Sequence, residues 1–201
     1  MQLIVGLNNP GPDYRDTRHN AGAWLCEAWA RKRGVSFVFD KKFQGEWGRV
    51  SSQTLSSSLQ ASQDYYILFP QTFMNLNGLS VQALMQFYKI PVEHVLVVHD
   101  DLDLPPGTVR LKFGGGHGGH NGLRDIIQRL GANFWRLRVG IGHPGSPDRV
   151  TGFVLGCPLG AEREAIDAGI LKALDVMDDI LIGDPAHMNK AMQALHTPSS
   201  T

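Results

Sequence analysis

A single α/β/α sandwich around a twisted, mixed sheet is the fold class this sequence predicts, on three observations. Short apolar runs rich in β-branched and aromatic residues recur along the chain: QLIVGL, FVF, YYILF, HVLVVH, TVRLKF and WRLRVGIG. Segments of helical periodicity separate them, the alternation expected of a sheet covered by helices. The length, 201 residues, suits one domain whose core needs no staples.

The elements follow in order. The chain runs from Met1 straight into the strand QLIVGL, without the basic start and long apolar stretch of a secretory leader, so a cytoplasmic location is expected. Asn20 is placed to cap a helix that runs through Arg33, stops at Gly34 and carries Trp24, Leu25, Ala28 and Trp29 on one face. The serine-rich stretch 51–64 lacks strong periodicity and reads as an exposed hairpin loop. Leu79–Tyr88 and Leu123–Leu130 read as further helices. Residues 143–160, crowded with Pro and Gly, read as a long surface loop able to cover a cleft. Helical periodicity resumes from Ala161 to about Ile182, a short helix follows Pro185, and residues 197–201 are expected to form a flexible tail. The chain carries no internal repeat.

Composition narrows the function classes. The 42% hydrophobic fraction and 23 glycines are those of a globular protein with many tight turns. No segment approaches the ~18 consecutive apolar residues of a membrane span. Cys26 and Cys157 stand alone, which suggests neither a disulfide framework nor a zinc cluster and reads as two buried, inert thiols. Lys+Arg and Asp+Glu are both 19, so total charge gives no support to nucleic-acid binding. The distribution is uneven: residues 1–150 hold 16 basic and 12 acidic side chains, and residues 151–201 hold 3 and 7. A basic body therefore precedes an acidic tail.

Four segments carry polar residues at strand ends, where α/β proteins build their sites. In GLNNPGPDYRDTRHNAG, Pro12 stands where a phosphate-binding loop needs Lys, which removes that reading and leaves Asn9, Tyr14 and His19 on a turn before a helix. Taken alone, such a histidine is more often a helix-start residue than a catalyst. In PQTFMNLNG, Asn75 or Asn77 can cap the next helix, and Phe73 and Met74 can belong to the core. In HDDLDLPPG, Asp100, Asp101 and Asp103 leave three uses open: a divalent-cation site, a turn before the Pro-Pro pair, or a carboxylate that orients a histidine from another strand end. In GGGHGGHNG, Gly114, Gly116 and Gly119 satisfy GxGxxG between a strand and a helix, which makes an NAD(P)-binding oxidoreductase the rival reading. That rival lacks an acid at the end of WRLRVGIG, where a ribose-binding carboxylate belongs. The glycines also allow close backbone approach to a ligand, and a helix N-terminus favours an anion such as an RNA phosphate. Arg110 and Lys112, alternating on the preceding strand, are placed to clamp that phosphate, while Asn121 at the helix start has capping as its ordinary role. His117 and His120 have a ligand spacing, but glycines on both sides make a poor scaffold and no metal site is assigned.

Together and in this order, the four segments, continued by GHPGSPDRVTGFVLG, resemble the bacterial-type peptidyl-tRNA hydrolase family through nearly the whole chain. Four motifs in order are far more specific than any one of them. The resemblance implies cleavage of the ester between a peptide and the terminal ribose of tRNA, in a monomeric, cofactor-free cytoplasmic enzyme that recycles peptidyl-tRNA lost from ribosomes. It also implies the sandwich fold. It makes His19 the general base and Asp100 the group that stabilises its basic form. Asn9 takes the position that separates blocked from free amino groups on the substrate. Tyr14, Phe73, Asn75 and Asn121 take those that contact the peptidyl-tRNA end, and Arg110 and Lys112 those that face the tRNA phosphates. Arg at position 110 in place of the family's Lys alters that geometry. The serine-rich loop and the acidic tail find no explanation in it.

The chemistry is self-sufficient. A histidine near pKa ~6.5 accepts a proton from water at neutral pH, help typically worth ~10² to 10⁴ in rate. Amide donors from Asn9 or Asn75, or a backbone N–H, are candidates for stabilising the oxyanion. No GxSxG elbow supplies a serine nucleophile and neither cysteine lies in a motif, so direct attack by water is expected. A non-catalytic binder of the tRNA end is the third reading.

Overall fold

The computed structural model describes residues 1–50 and 64–196; the expected hairpin loop at 51–64, but for Asp64, and the tail at 197–201 lie outside the described residues. Seven strands form one sheet: β1 (Leu3–Gly6), β2 (Val38–Asp40), β3 (Gly45–Val50), β4 (Tyr65–Pro70), β5 (Val95–Asp101), β6 (Val109–Phe113) and β7 (Trp135–Gly140). Their spatial order is β2-β3-β4-β1-β5-β7-β6. The four central strands β4, β1, β5 and β7 are mutually parallel, and β2, β3 and β6 run antiparallel to their neighbours.

Period-2 alternation divides the core into two layers. Ile4, Ile67, Leu96 and Val98 face α1 (Ala21–Lys32), α5 (Ala161–Leu174), α6 (Met177–Ile182) and α7 (Pro185–His196), whereas Leu3, Val5, Leu68 and Val97 face α2 (Asn77–Tyr88) and α3 (Asn121–Leu130). Helices thus cover both faces, and the expected α/β/α sandwich is the observed fold.

Several expected boundaries differ for physical reasons. β3 escapes a hydrophobicity reading because Gly45 and Gly48 interrupt it. A Cβ on Gly45 would stand 2.7 Å from Leu68 Cδ1, and one on Gly48 2.6 Å from Val35 Cγ1, so close packing demands the residues that hide the strand. The stretch 143–160 is not wholly loop: it contains a 3-10 turn, Pro147–Arg149, and the five-residue helix α4 (Val150–Val154). The helix expected over Ala161–Ile182 is two, α5 and α6. Asn20 does not cap α1 with its side chain, which serves the loop after β1 instead. Cys26 is buried, and burial pushes its thiol pKa up, whereas Cys157 is exposed, contrary to expectation. The acidic C-terminal segment finds partners in the basic body: Glu162 pairs with Arg18 and Asp178 with Arg33.

Candidate active site

The site lies where the parallel strands end, the place at which open α/β sheets bind ligands. The loops after β1 and β4, the end of β5, the glycine-rich loop after β6 and helix α4 surround a cleft of about 980 Å³. Asn9, Tyr14, His19, Phe73, Asn75, Asp100, Lys112 and Asn121 all line it, so eight of the nine site residues read from sequence meet in one place.

His19 belongs to a 3-10 turn, Arg18–Asn20, that leads into α1. Gly22 sets how near this turn comes to β5: a Cβ there would lie 2.2 Å from the Val98 carbonyl oxygen and 2.9 Å from His99 Cα. The close approach places His19 Nδ1 2.9 Å from Asp100 Oδ1, across 81 positions of sequence. Both residues are buried, His19 to 7% exposure and Asp100 to 3%. Burial by itself would lower the His19 pKa, but the charge and hydrogen bond of Asp100 outweigh it and leave the imidazole above its ordinary 6.5. Burial likewise opposes ionisation of Asp100, yet the two histidines beside it hold its carboxyl well below the usual carboxylate range. An ionised Asp100 accepts the Nδ1–H of His19, which leaves the lone pair on Nε2, an atom with no protein partner among the described residues.

Asn9 is fixed by both ends of its peptide unit and by its side chain. Its N–H donates to Asn20 Oδ1 at 2.9 Å, its carbonyl accepts from Asn20 Nδ2 at 3.0 Å, and its Oδ1 accepts the Met74 N–H at 2.7 Å. The Oδ1 contact determines which way the amide points and leaves the Nδ2 hydrogens without a protein acceptor among the described residues. Tyr14 and Phe73 meet edge-on, ring centroids 6.2 Å apart, with Phe73 57% exposed on the cleft wall. Asn77 does not cap α2; its Nδ2 donates to the carbonyls of Asn8, Thr72 and Phe73 and ties the loops after β1 and β4 together.

Sequence reasoning missed His120. Its spacing suits a metal-ligand pair with His117, but His117 Nδ1 turns back to accept the Gly119 N–H while His120 reaches into the site. His120 Nε2 lies 2.9 Å from Asp100 Oδ1, and its Nδ1 accepts the N–H groups of Gly122 and Leu123 as the N-cap of α3. The cap role expected of Asn121 therefore belongs to His120, which accepts the N–H groups of Gly122, Leu123 and Arg124 that a phosphate at this helix start would need. The signal was available: a side chain just before the first helical residue is where a cap sits. His99, also in this cluster, donates Nδ1–H to the Asp100 carbonyl; burial first, then neighbouring His120, push its pKa down to about 3 and keep it neutral.

Arg110 is the expected site residue that the structure does not bring to the cleft. Its Nη1 donates to the Leu195 carbonyl at 2.7 Å, at the C-terminal end of α7, a favourable place for a cation. Lys112 does line the cleft, beside Gly115. Arg136 and Arg138 line it too, opposite Lys112 and Arg110 in the β6–β7 register, and the alternating arginines of WRLRVG were the overlooked signal. Arg138 pairs with Asp101 at 2.6 Å, and Arg136 donates to the Gly115 and Gly116 carbonyls, pinning the glycine-rich loop. Among the described residues, His19, Asp100 and His120 are the group whose potential metal-ligand atoms lie within 4.8 Å of one another. Both ring nitrogens aim at one carboxylate oxygen at hydrogen-bond distance, so a cation there has two protons to displace.

The GxGxxG reading is overturned. Strands β6 and β7 are antiparallel, so the loop does not open the parallel βαβ unit that a dinucleotide site requires.

Fold and site together define a class: an α/β sandwich with a carboxylate-oriented histidine at the strand ends, equipped to take a proton from water. The chain matches the family model for peptidyl-tRNA hydrolase over residues 3–201, and it belongs to that family. It is 53% identical over 199 residues to the peptidyl-tRNA hydrolase of Pseudomonas savastanoi pv. phaseolicola, covering 98% of this chain and 97% of the relative. It is 52% identical to that of Azotobacter vinelandii over the same shares. The crystal structure of peptidyl-tRNA hydrolase from Acinetobacter baumannii superposes with a TM-score of 0.88 at 45% identity, covering 98% of this chain and 95% of that one.

Proposed function

We propose that the cleft hydrolyses the ester between a peptide and the 3′ terminal ribose of tRNA, with His19 as general base. The observation that carries the reading is the contact of His19 Nδ1 with Asp100 Oδ1, which commits the proton to Nδ1 and presents Nε2 to the cleft. Water gives a proton to Nε2 as its oxygen attacks the ester carbonyl carbon. The carbonyl becomes a tetrahedral oxyanion, for which Asn9 Nδ2 is the available amide donor. Collapse breaks the bond to the ribose oxygen, which leaves as the hydroxyl by taking the proton back from His19. Asp100 stays ionised throughout and stabilises the imidazolium between the two transfers.

Tyr14 and Phe73 offer aromatic faces to the substrate end, Asn75 and Asn121 offer polar contacts, and Lys112 offers a cation for a backbone phosphate. The same reading places the enzyme in the cytoplasm as a monomer acting on peptidyl-tRNA lost from ribosomes. No helix among the described residues is long and apolar enough to cross a membrane.

Hydrolysis of N-blocked aminoacyl-tRNA by chelator-treated protein tests the reading. The parent is expected to turn over, and His19→Ala to lose roughly 10² to 10⁴ in kcat. Substrate binding without turnover by the parent would favour a non-catalytic binder. Robust turnover by His19→Ala, or a trapped covalent acyl-enzyme, would overturn the mechanism.

A further inference from the structure

Three consecutive residues of the Arg18–Asn20 turn point in three directions: His19 to Asp100, Asn20 to the Asn9 peptide, and Arg18 away from both, to the far wall of the cleft. Arg18 closes four contacts there. Its backbone N–H donates to the Gly156 carbonyl at 3.0 Å. Nη1 donates to the Phe153 carbonyl at 3.0 Å, and the guanidinium carbon lies 4.1 Å from the centre of the Phe153 ring. Nε and Nη2 grip the two carboxylate oxygens of Glu162, in the first turn of α5, at 2.5 and 2.7 Å. The guanidinium side chain is only 11% exposed.

Helix α4 depends on this grip. Five residues make less than two turns, far below the length at which a helix holds itself in water. The Phe153 carbonyl, in its last turn, accepts the Gly156 N–H at 3.1 Å and also Arg18 Nη1, which sets a cation at the negative end of the helix, while the Gly156 carbonyl, two residues past the helix, accepts the Arg18 backbone N–H. The side of α4 that Arg18 does not hold, Val150, Thr151 and Val154, forms cleft wall.

We propose that Arg18 is a positioning residue: a strap that holds the α4 wall against the turn bearing His19, so that closure of the cleft on substrate depends on the Arg18–Glu162 pair. The inference rests on the hydrolase reading for its substrate, but not for its geometry. Arg18 touches neither Asp100 nor the cleft, so its work is on substrate affinity and not on the base. Lysine cannot replace it, because a single ammonium reproduces neither the bidentate grip on Glu162 nor the stacking on Phe153.

The test uses Arg18→Lys, Glu162→Gln and the double variant, with two readouts. Hydrogen exchange of the amides of 150–156 is expected to speed up about tenfold or more in each variant while β1 and β5 keep the parent's protection. With N-blocked aminoacyl-tRNA, KM is expected to rise roughly tenfold, with kcat and the acidic limb of its pH profile unmoved. The double variant should add little to the single ones, since both break one interaction. Unchanged exchange in 150–156 would overturn the strap, and so would a displaced pH limb, which would mean that Arg18 acts through His19. A protein without hydrolase activity whose exchange responds as described would sink the hydrolase reading and leave the strap standing. Glu162→Gln, which keeps Arg18 and one hydrogen bond, guards against misfolding of Arg18→Lys.

Discussion

His19 and His120 hold the same oxygen of Asp100, each at 2.9 Å, with their ring centroids 4.7 Å apart. The two imidazoles differ in what their other nitrogen does. That of His19 is open to the cleft, whereas that of His120 is committed to two amides at the start of α3. Protonating His120 would break the cap, and burial, only partly offset by Asp100, keeps its pKa below the ordinary value. One carboxylate therefore serves one imidazole free to gain a proton and one locked neutral.

The first prediction concerns pH. The proposed reaction needs His19 neutral, and the His19 pKa is raised, so kcat/KM is expected to fall as pH drops through a value above 6.5. Asp100→Asn removes the group that raises the pKa while burial, which lowers it, stays. The acidic limb should then move to lower pH, and the plateau should fall by roughly 10² or more because the tautomer is no longer held. A pH–rate profile of both proteins checks this; a limb that stays put would detach Asp100 from His19.

His120 combines two roles that substitution can separate. His120→Ala loses the cap, at a cost of about 1 kcal/mol and roughly 2–4 °C in Tm, and also loses a partner of Asp100. His120→Asn caps well but is too short to reach Asp100 in the same way. Thermal melts should show stability returning in His120→Asn, while kcat stays depressed in both. Equal recovery of stability and rate would reduce His120 to a cap.

For Asn9 the informative change is Asn9→Asp. It keeps an oxygen for the Met74 N–H but replaces the open Nδ2 donor with an acceptor. Losing an oxyanion donor costs roughly 10² to 10³ in kcat, with little change expected in Tm. Steady-state kinetics beside a melt decide it, since a large loss of stability would assign Asn9 to the scaffold.

Lys112 and Arg110 are expected to part company. Lys112→Ala should weaken tRNA binding and flatten its log–log dependence on salt by about 0.7 to 0.9, one phosphate contact. Arg110→Ala should leave that slope alone and instead loosen the C-terminal end of α7, where its guanidinium is spent. Binding titrations at several salt concentrations, with melts of both variants, separate the two.

The last prediction tests the backbone approach that assembles the couple. Gly22→Ala puts a Cβ 2.2 Å from the Val98 carbonyl oxygen, so α1 must retreat from β5. A loss of about 3 kcal/mol, roughly 6–12 °C in Tm, is expected, and activity should fall with it as His19 withdraws from Asp100. Parent-like melting and turnover would show that the approach is not needed.

Much of this was legible in the residues. Val5, Ile67 and Val97 lie in apolar runs whose strand character survives any context, and the polar segments that follow those runs had to emerge at strand ends. β3 was not legible, because its glycines answer to Leu68 and Val35, neighbours supplied by other elements. Nor was the strap on α4, since the Pro- and Gly-rich stretch around it carries no helical pattern until Arg18 and Glu162 close on it.

By itself the chain determined the alternation of most strands and helices and the polar segments at four strand ends, because periodicity and turn chemistry act within a few residues, whereas His19, Asp100 and Asn9 were singled out among those polar residues by the resemblance to a family. Only the tertiary structure decided that His120 shares Asp100, that Arg110 serves α7 and that Arg18 binds the opposite wall. Those outcomes depend on strand order and on how closely backbones approach, which bring together residues as far apart as 18 and 162 or 110 and 195 and leave no mark in any local window.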